Sequence, residues 1–269
     1  MKALLLLIAA ASLWAAVPPD AREIISKSVD VVEANWTQAP NYSFTERASH
    51  SKKRSEPVVK TFRVSMIDGA PYRYLLAVDD RPLPLDQHTV EERKLAGETE
   101  KRRSESEKER AQRVYNYSKE RNRDHAILME IADAFDFEFA GEETVNGHDC
   151  WVLDARPRQG YTPKNHAAKV LTAMTLRLWV EKSQNQWVKV KAELFQPISF
   201  YGLLAKVGPG TRFMLEQEPI TDTVWLPTRF SMRLNASALG FINENSTNDN
   251  TYSNYTPNTQ KAARLEVMR

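Results

Sequence analysis

The sequence is short of the features that usually disclose a function. There is one cysteine in 269 residues, which excludes an intramolecular disulfide and any cysteine-rich zinc or iron–sulfur site. Neither sign of charge dominates: 37 Lys and Arg face 35 Asp and Glu, for a net charge of +2. So weak a summed field excludes holding nucleic acid by bulk charge. The serine elbow GxSxG, the phosphate loop GxxxxGK[ST] and the dinucleotide fingerprint GxGxxG are all missing. There is no HExxH, and among His50, His88, His125, His148 and His166 no two sit at metal-ligand spacing. No internal repeat and no Pro/Gly-rich linker divides the chain, so a single domain is expected over 17–269. Beyond the first sixteen residues no apolar run approaches the roughly 20 residues of a membrane-spanning helix.

What is present starts at the N-terminus. Met1-Lys2 is a basic start, residues 3–16 are apolar apart from one Ser, and Pro18-Pro19-Asp20 follows. This reads as a secretory signal peptide over 1–16, the alternatives being an uncleaved anchor or a buried helix. No cysteine lies near the cleavage point, so the chain is not expected to be lipidated itself. The mature chain, about 250 residues, is long enough to build a core without disulfides in an oxidising compartment.

Residues 20–36 have a helical stripe of Ile25, Val29, Val32 and Trp36, with Asp20 as a candidate N-cap and Glu23 at the capping-box position. Alternation of period two then begins at Tyr42. In 58–66 Val58, Phe62, Val64 and Met66 share a face, Asp68-Gly69 turns the chain, and Tyr72, Tyr74, Leu76 and Val78 continue. Residues 86–125 break this pattern: 86–124 hold eleven Lys/Arg and ten Asp/Glu. They predict a long, exposed, charge-laced helix interrupted near Gly97. A second amphipathic helix is expected over about 125–134, from Ile127 or Leu128, Ile131 and Phe135. Strands resume at 135–145, turn at Asn146-Gly147 and return over 149–156. The alternating runs at 174–181 and 188–195 and the segments starting at Phe213 and Leu226 follow. The Asn-rich stretch 240–255 reads as a last edge hairpin. The fold class expected is mainly β (α+β): a strongly curved antiparallel sheet or incomplete β-barrel covered by helices, with a long charged helical insertion at 86–125.

Candidate chemistry is sparse. His148-Asp149-Cys150 is the densest cluster, but neighbouring strand residues point to opposite faces, so a hairpin shoulder explains it better than a Cys–His nucleophile. Val207-Gly208-Pro209-Gly210 lacks a following Lys, and its proline removes a donor, so it reads as a tight connection. Asp79-Asp80, and Asp133 with Asp136, show no complete cation loop. What remains is the apolar face. Phe44, Phe62, Tyr74, Leu176, Leu178, Val190, Leu194, Phe213, Phe230 and Met232 are expected to face inward, as a filled core or as the wall of an acyl-chain pocket. Trp36, Ile127, Ile131 and Phe135 are the candidate lid.

The order of elements carries a resemblance. Gly141 to Pro157 reads G-x-x-x-x-N-G-x-x-x-x-x-L-x-x-R-P, Leu178 to Glu181 reads L-W-V-E, and Trp225 to Arg229 reads W-L-P-T-R. With the preceding helix and meander, these hairpins resemble the LolA/LolB-type lipoprotein-carrier superfamily over roughly 21–256. The resemblance implies a soluble periplasmic protein, non-enzymatic and without cofactor or metal. Its concave face would bind acyl chains or lipoproteins for an inner- or outer-membrane acceptor. Relatives on the same scaffold also sense envelope stress, so a sensor or protein-interaction module is the alternative and a secreted hydrolase a more distant one. The long charged insertion departs from the carrier pattern.

Overall fold

The computed structural model describes residues 19–52, 55–200, 205–238 and 242–258. The expected signal peptide at 1–16 lies outside them. A helix α1 (Ala21–Gln38) leads through a short 3-10 turn into β1 (Tyr42–Lys52), β2 (Val58–Ile67), β3 (Ala70–Val78) and the two-residue β4 (Arg81–Pro82). Helices α2 (Leu85–Ser104) and α3 (Glu107–Ala134) follow, then β5 (Phe135–Val145) and β6 (His148–Pro157). A 3-10 segment (Ala167–Ala173) precedes β7 (Met174–Glu181), β8 (Trp187–Leu194), β9 (Ile198–Phe200), β10 (Ala205–Val207), β11 (Arg212–Pro219), β12 (Trp225–Ala238) and β13 (Ile242–Pro257).

All pairings are antiparallel, and the sheet runs β4-β3-β2-β1-β13-β12-β11-β8-β7-β6-β5, with β10 and β9 on a branch from β12. The two ends do not meet, so the sheet is open rather than a closed barrel. The last strand is not at an edge. β13 lies between β1 and β12, and its Asn- and Thr-rich sequence supplies ladder bonds to both.

One face of β5–β8 carries the core. Leu153, Leu176, Leu178, Val180, Trp187 and Leu194 pack there against Ile24, Ile25 and Val32 of α1 and Ile131 of α3. Each such side chain contributes about 1.5–3 kcal/mol by leaving water. Asp20 caps α1 by accepting from the Arg22 amide. Polar groups inside this contact are paired. The Trp187 indole donates to Ser28 Oγ at 2.9 Å, and Asn35 both donates to Gln186 Oε1 at 2.6 Å and accepts from the Trp225 amide at 3.1 Å. A smaller cluster of Cys150, Val152, Trp179, Val188 and Trp225 is separate from it.

The charged insertion differs from its expected form in three ways. α2 passes through Gly97 without interruption, and the break falls at Glu105-Ser106, where Ser106 and Glu109 form a reciprocal capping box that starts a new helix. The expected separate helix at 125–134 is the end of α3. Nor is the insertion simply solvated. Arg102, 5% exposed, donates to the carbonyls of Ile67 and Ala70 at 2.9 and 2.8 Å and pairs with Glu98 at 2.7 Å. Arg113 donates to the Asp68 carbonyl and pairs with Glu105. The two helices therefore grip the β2–β3 turn.

Candidate functional site

An apolar pocket of about 430 Å³ lies where the C-terminal end of α1, the middle of α3 and strands β1, β2, β12 and β13 meet. Its aromatic wall is Trp36, Tyr42, Phe44, Tyr117, Tyr252 and Tyr255; Val64, Met66, Leu226 and Pro227 add the aliphatic part. Phe44 touches both C-terminal tyrosines, with centroids at 5.8 Å to Tyr252 and 5.4 Å to Tyr255. Residues three apart in a strand ordinarily face opposite ways. Here Asn254 takes a left-handed φ of 54° beside the register shift between Ser43 and Thr45, which brings both rings to Phe44. The Tyr255 hydroxyl donates to the Pro227 carbonyl at 2.6 Å. Burial raises both phenol pKa values above the ordinary one, so both rings stay neutral.

Two arginines edge the pocket. Arg73 pairs with Glu46 at 2.8 Å and lies 4.0 Å from the centroid of Phe62. Arg121 is held differently. It donates to the Trp36 carbonyl and the Tyr117 hydroxyl, with its guanidinium 4.6 Å from the Trp36 centroid. The His125 ring also stacks on Trp36, at 5.3 Å. Among the described residues the lining contains no carboxylate, histidine or thiol, and Ser65 is its one aliphatic hydroxyl.

The structure brings two of the expected residues, Phe44 and Trp36, together at this pocket. Phe62 is on the same sheet face as Phe44, beneath Arg73. Phe213, Phe230 and Met232 share one face along β11 and β12, Met232 directly opposite Phe213. Leu176, Leu178 and Leu194 are buried in the core, with Val190 and Phe213 packed against it. Of the expected lid, Ile131 and Phe135 are core residues, Phe135 wholly buried, and Ile127 packs beside them. Tyr74 does not share the face of Phe62. It pairs with Arg63, because a two-residue turn at Asp68-Gly69 places even positions of β2 opposite odd positions of β3. Its hydroxyl meets His88 of α2 at 3.2 Å.

Tyr252, Tyr255, Tyr117 and Arg121 escaped the sequence reading. A strand segment of alternating polar residues and a charged helix gave no apolar period to mark them.

Elsewhere, burial pushes the Cys150 thiol up to about 11, the reverse of an activated nucleophile. His148 is turned to Glu218 at 3.2 Å and packs on Trp225. Glu130, 4% exposed, accepts from the Tyr161 hydroxyl, the Lys164 amide and Asn165, so its oxygens are occupied in holding the 161–165 loop. Among the described residues no cluster of His, Cys, Asp and Glu is placed to hold a metal, and no helix is long and apolar enough to cross a membrane.

No protein-family model matches the chain, and no curated protein matches it. Solved structures do. A DUF1329 family protein from Desulfovibrio piger is 14% identical, with a TM-score of 0.36 over 88% of this chain and 92% of that one. The complex of MucA and MucB from Pseudomonas aeruginosa gives 11% identity and a TM-score of 0.23 over 89% and 99%. A LolA superfamily protein from Nitrosomonas europaea is 13% identical, with a TM-score of 0.31 over 90% and 94%.

Proposed function

We propose that the protein is a non-enzymatic carrier that shelters an acyl chain in the pocket between α1, α3 and the β2-β1-β13-β12 part of the sheet. The observation that carries this reading is the pocket itself. Its 430 Å³ falls in the range of about 300–1,000 Å³ for small-molecule sites. Aromatic and aliphatic side chains make up most of its wall, and among the described residues no carboxylate, histidine or thiol lines it. Removing a methylene from water is worth about 0.8 kcal/mol, so ten of them supply about 8 kcal/mol, a roughly micromolar affinity. That is strong enough to lift a single chain from a bilayer, which holds one only marginally, and weak enough to release it to an acceptor. Export through the leader at 1–16 places the carrier in the periplasm, between membranes, with a membrane-bound acceptor as partner.

The test is organic extraction of the purified mature protein followed by mass spectrometry, with binding of a fluorescent fatty acid measured in parallel. The expected result is co-extracted lipid and saturable binding, weakened more than tenfold by Met66→Glu, which places a carboxylate at the half-buried edge of the wall. A protein that extracts empty and fails to bind the fluorescent chain overturns the reading.

A further inference from the structure

The charged side chains in the wall of the apolar pocket are both cations. Arg73 and Arg121 line it, and among the described residues no carboxylate does. A charge beside apolar surface is costly unless it is paired. Arg73 is exposed and paired, with Glu46 at 2.8 Å. Arg121 is half-buried, and its described partners are all neutral.

The rest of the molecule treats such arginines differently. Among the described residues the arginines that are not exposed are Arg47, Arg102, Arg113, Arg121 and Arg158. Asp80 pairs with Arg47, Glu98 with Arg102, Glu105 with Arg113 and Asp136 with Arg158, at 2.6–2.9 Å. Arg121 is the exception. Glu33, on α1 one turn before Trp36, is turned to His125 Nε2 at 2.5 Å instead. What holds Arg121 is the Trp36 carbonyl, the Tyr117 hydroxyl and the face of the Trp36 ring. These fix the guanidinium without cancelling its charge, and the two bonds use two of its five N–H donors. Trp36 and Tyr117 are themselves pocket wall, so the guanidinium is fastened at the pocket's edge.

A methylene takes up about as much room as a water molecule, about 30 Å³. The 430 Å³ of the pocket therefore holds about fourteen of them, one long chain rather than two. We infer that the ligand is a single-chain carboxylic acid, its chain against the aromatic wall and its ionised carboxylate on the remaining N–H donors of Arg121. One guanidinium matches the one negative charge of a carboxylate. A phosphate monoester carries about −1.5 to −2 and would stay partly unmatched. A neutral ester or alcohol would displace water from Arg121 and give it no charge in return. The inference rests on the acyl-chain reading and adds the head group to it.

The experiment measures binding of tetradecanoate, its methyl ester and tetradecanol to the purified protein by displacement of nile red, an uncharged probe. It is run well above the ordinary carboxylate pKa of about 4, so that the acid is ionised. The variants are Arg121→Gln and Arg121→Lys. The expected result is that the parent prefers the acid to the ester and the alcohol by about tenfold or more, as one charge-assisted hydrogen bond implies. Arg121→Gln should abolish that preference while still binding the ester, and Arg121→Lys, which keeps the charge, should restore most of it. A looser wall would weaken acid and ester together, so the ratio of the two reads the charge and not the packing. Equal binding of acid and ester by the parent overturns the inference and leaves the acyl-chain reading standing, as does an unchanged ratio in Arg121→Gln. Failure of all three ligands to bind the parent overturns both.

Discussion

Arg102 offers the sharpest test of how the charged insertion is held. Its guanidinium donates two short bonds to the carbonyls of the β2–β3 turn, a longer one to Pro71 at 3.3 Å, and pairs with Glu98. Arg102→Met keeps most of the stem packing and removes all four contacts. Buried hydrogen bonds from a charged donor contribute about 1.5–3 kcal/mol each, and truncating one member of a buried ion pair costs about 3–5 kcal/mol in all. Glu98, with its side chain 26% exposed, can recover water, which places the expected loss at the lower end, about 3–4 kcal/mol. In a chain of this size that is about 6–16 °C in melting midpoint if α2 unfolds with the sheet. If it detaches first, the loss appears as hydrogen exchange over 85–104 while the sheet stays protected. Urea denaturation and peptide-resolved exchange measure both. Glu98→Gln, which keeps an acceptor, should cost about 1 kcal/mol or less. A loss under about 1 kcal/mol for Arg102→Met, with exchange over α2 unchanged, would refute the claim that this arginine straps the insertion to the turn.

Other expectations follow from single contacts. Asn35→Ala strands the Trp225 amide and the Gln186 side chain, both buried, and should cost about 2–4 kcal/mol in urea denaturation; a cost under about 0.5 kcal/mol refutes the pairing. Cys150 should resist iodoacetamide at pH 8 in the native state and react only in denaturant, since its thiol is pushed up to about 11 by burial. The same raised value gives a contribution to stability that is complete below the unfolded thiol's value of about 8.5 and lost as pH rises toward 11. Carboxylates act with the opposite sign. Hydrogen bonds from Arg177, Lys164 and Arg113 hold Asp154, Asp133 and Glu105 below the ordinary range. Their contribution is therefore present above about pH 4 and lost as pH falls through the folded values. Acid titration of the melting midpoint should show this limb, and Asp154→Asn should flatten it.

The antiparallel meander, the turns at Asp68-Gly69 and Asn146-Gly147 and the stripe of α1 were all legible, because each rests on a local period or a local backbone requirement. The face of Tyr74 was legible in principle as well. Once the turn is taken as two residues long, parity alone puts Tyr74 opposite Arg63 rather than beside Phe62. The place of β13 was not. Its alternating Asn, Ser and Thr residues read as an edge, yet the strand bonds on both sides to β1 and β12, where ladder bonds and cross-strand polar pairs replace apolar packing. The pocket was half visible. Phe44 and Trp36 carried the apolar signal, while Tyr252 and Tyr255 depend on a left-handed residue at Asn254 that no periodicity announces. Arg102 and Arg113 looked like any other members of a charged run. What distinguishes them is contact with carbonyls more than thirty residues away.

These arginines also decide how the pocket can open. α3 is fixed at its C-terminal end by Ile127, Leu128 and Ile131 in the main core. At its N-terminal end it is fixed mainly by Arg113, which binds the Asp68 carbonyl and Glu105, with Val114 against Gly69. Tyr117 and Arg121, the pocket wall, lie between. A helix does not bend sharply without a proline, a π-bulge or an inserted group, so the wall moves only when one end releases. The apolar end costs several buried side chains to free; the other costs one ion pair, Arg113 with Glu105, whose side chains are 18% and 9% exposed, and a bond to one carbonyl. Opening should therefore swing α3 from the β2–β3 turn, and a ligand of the proposed kind should leave on that side. If the pocket carries an acyl chain as proposed, Arg113→Met should accelerate release of a bound fluorescent fatty acid several-fold in stopped-flow displacement. Ile131→Val, at the anchored end, should leave the release rate near that of the parent despite a comparable loss of stability. Equal acceleration by both substitutions would mean that release follows global unfolding, and the hinge would be lost with it.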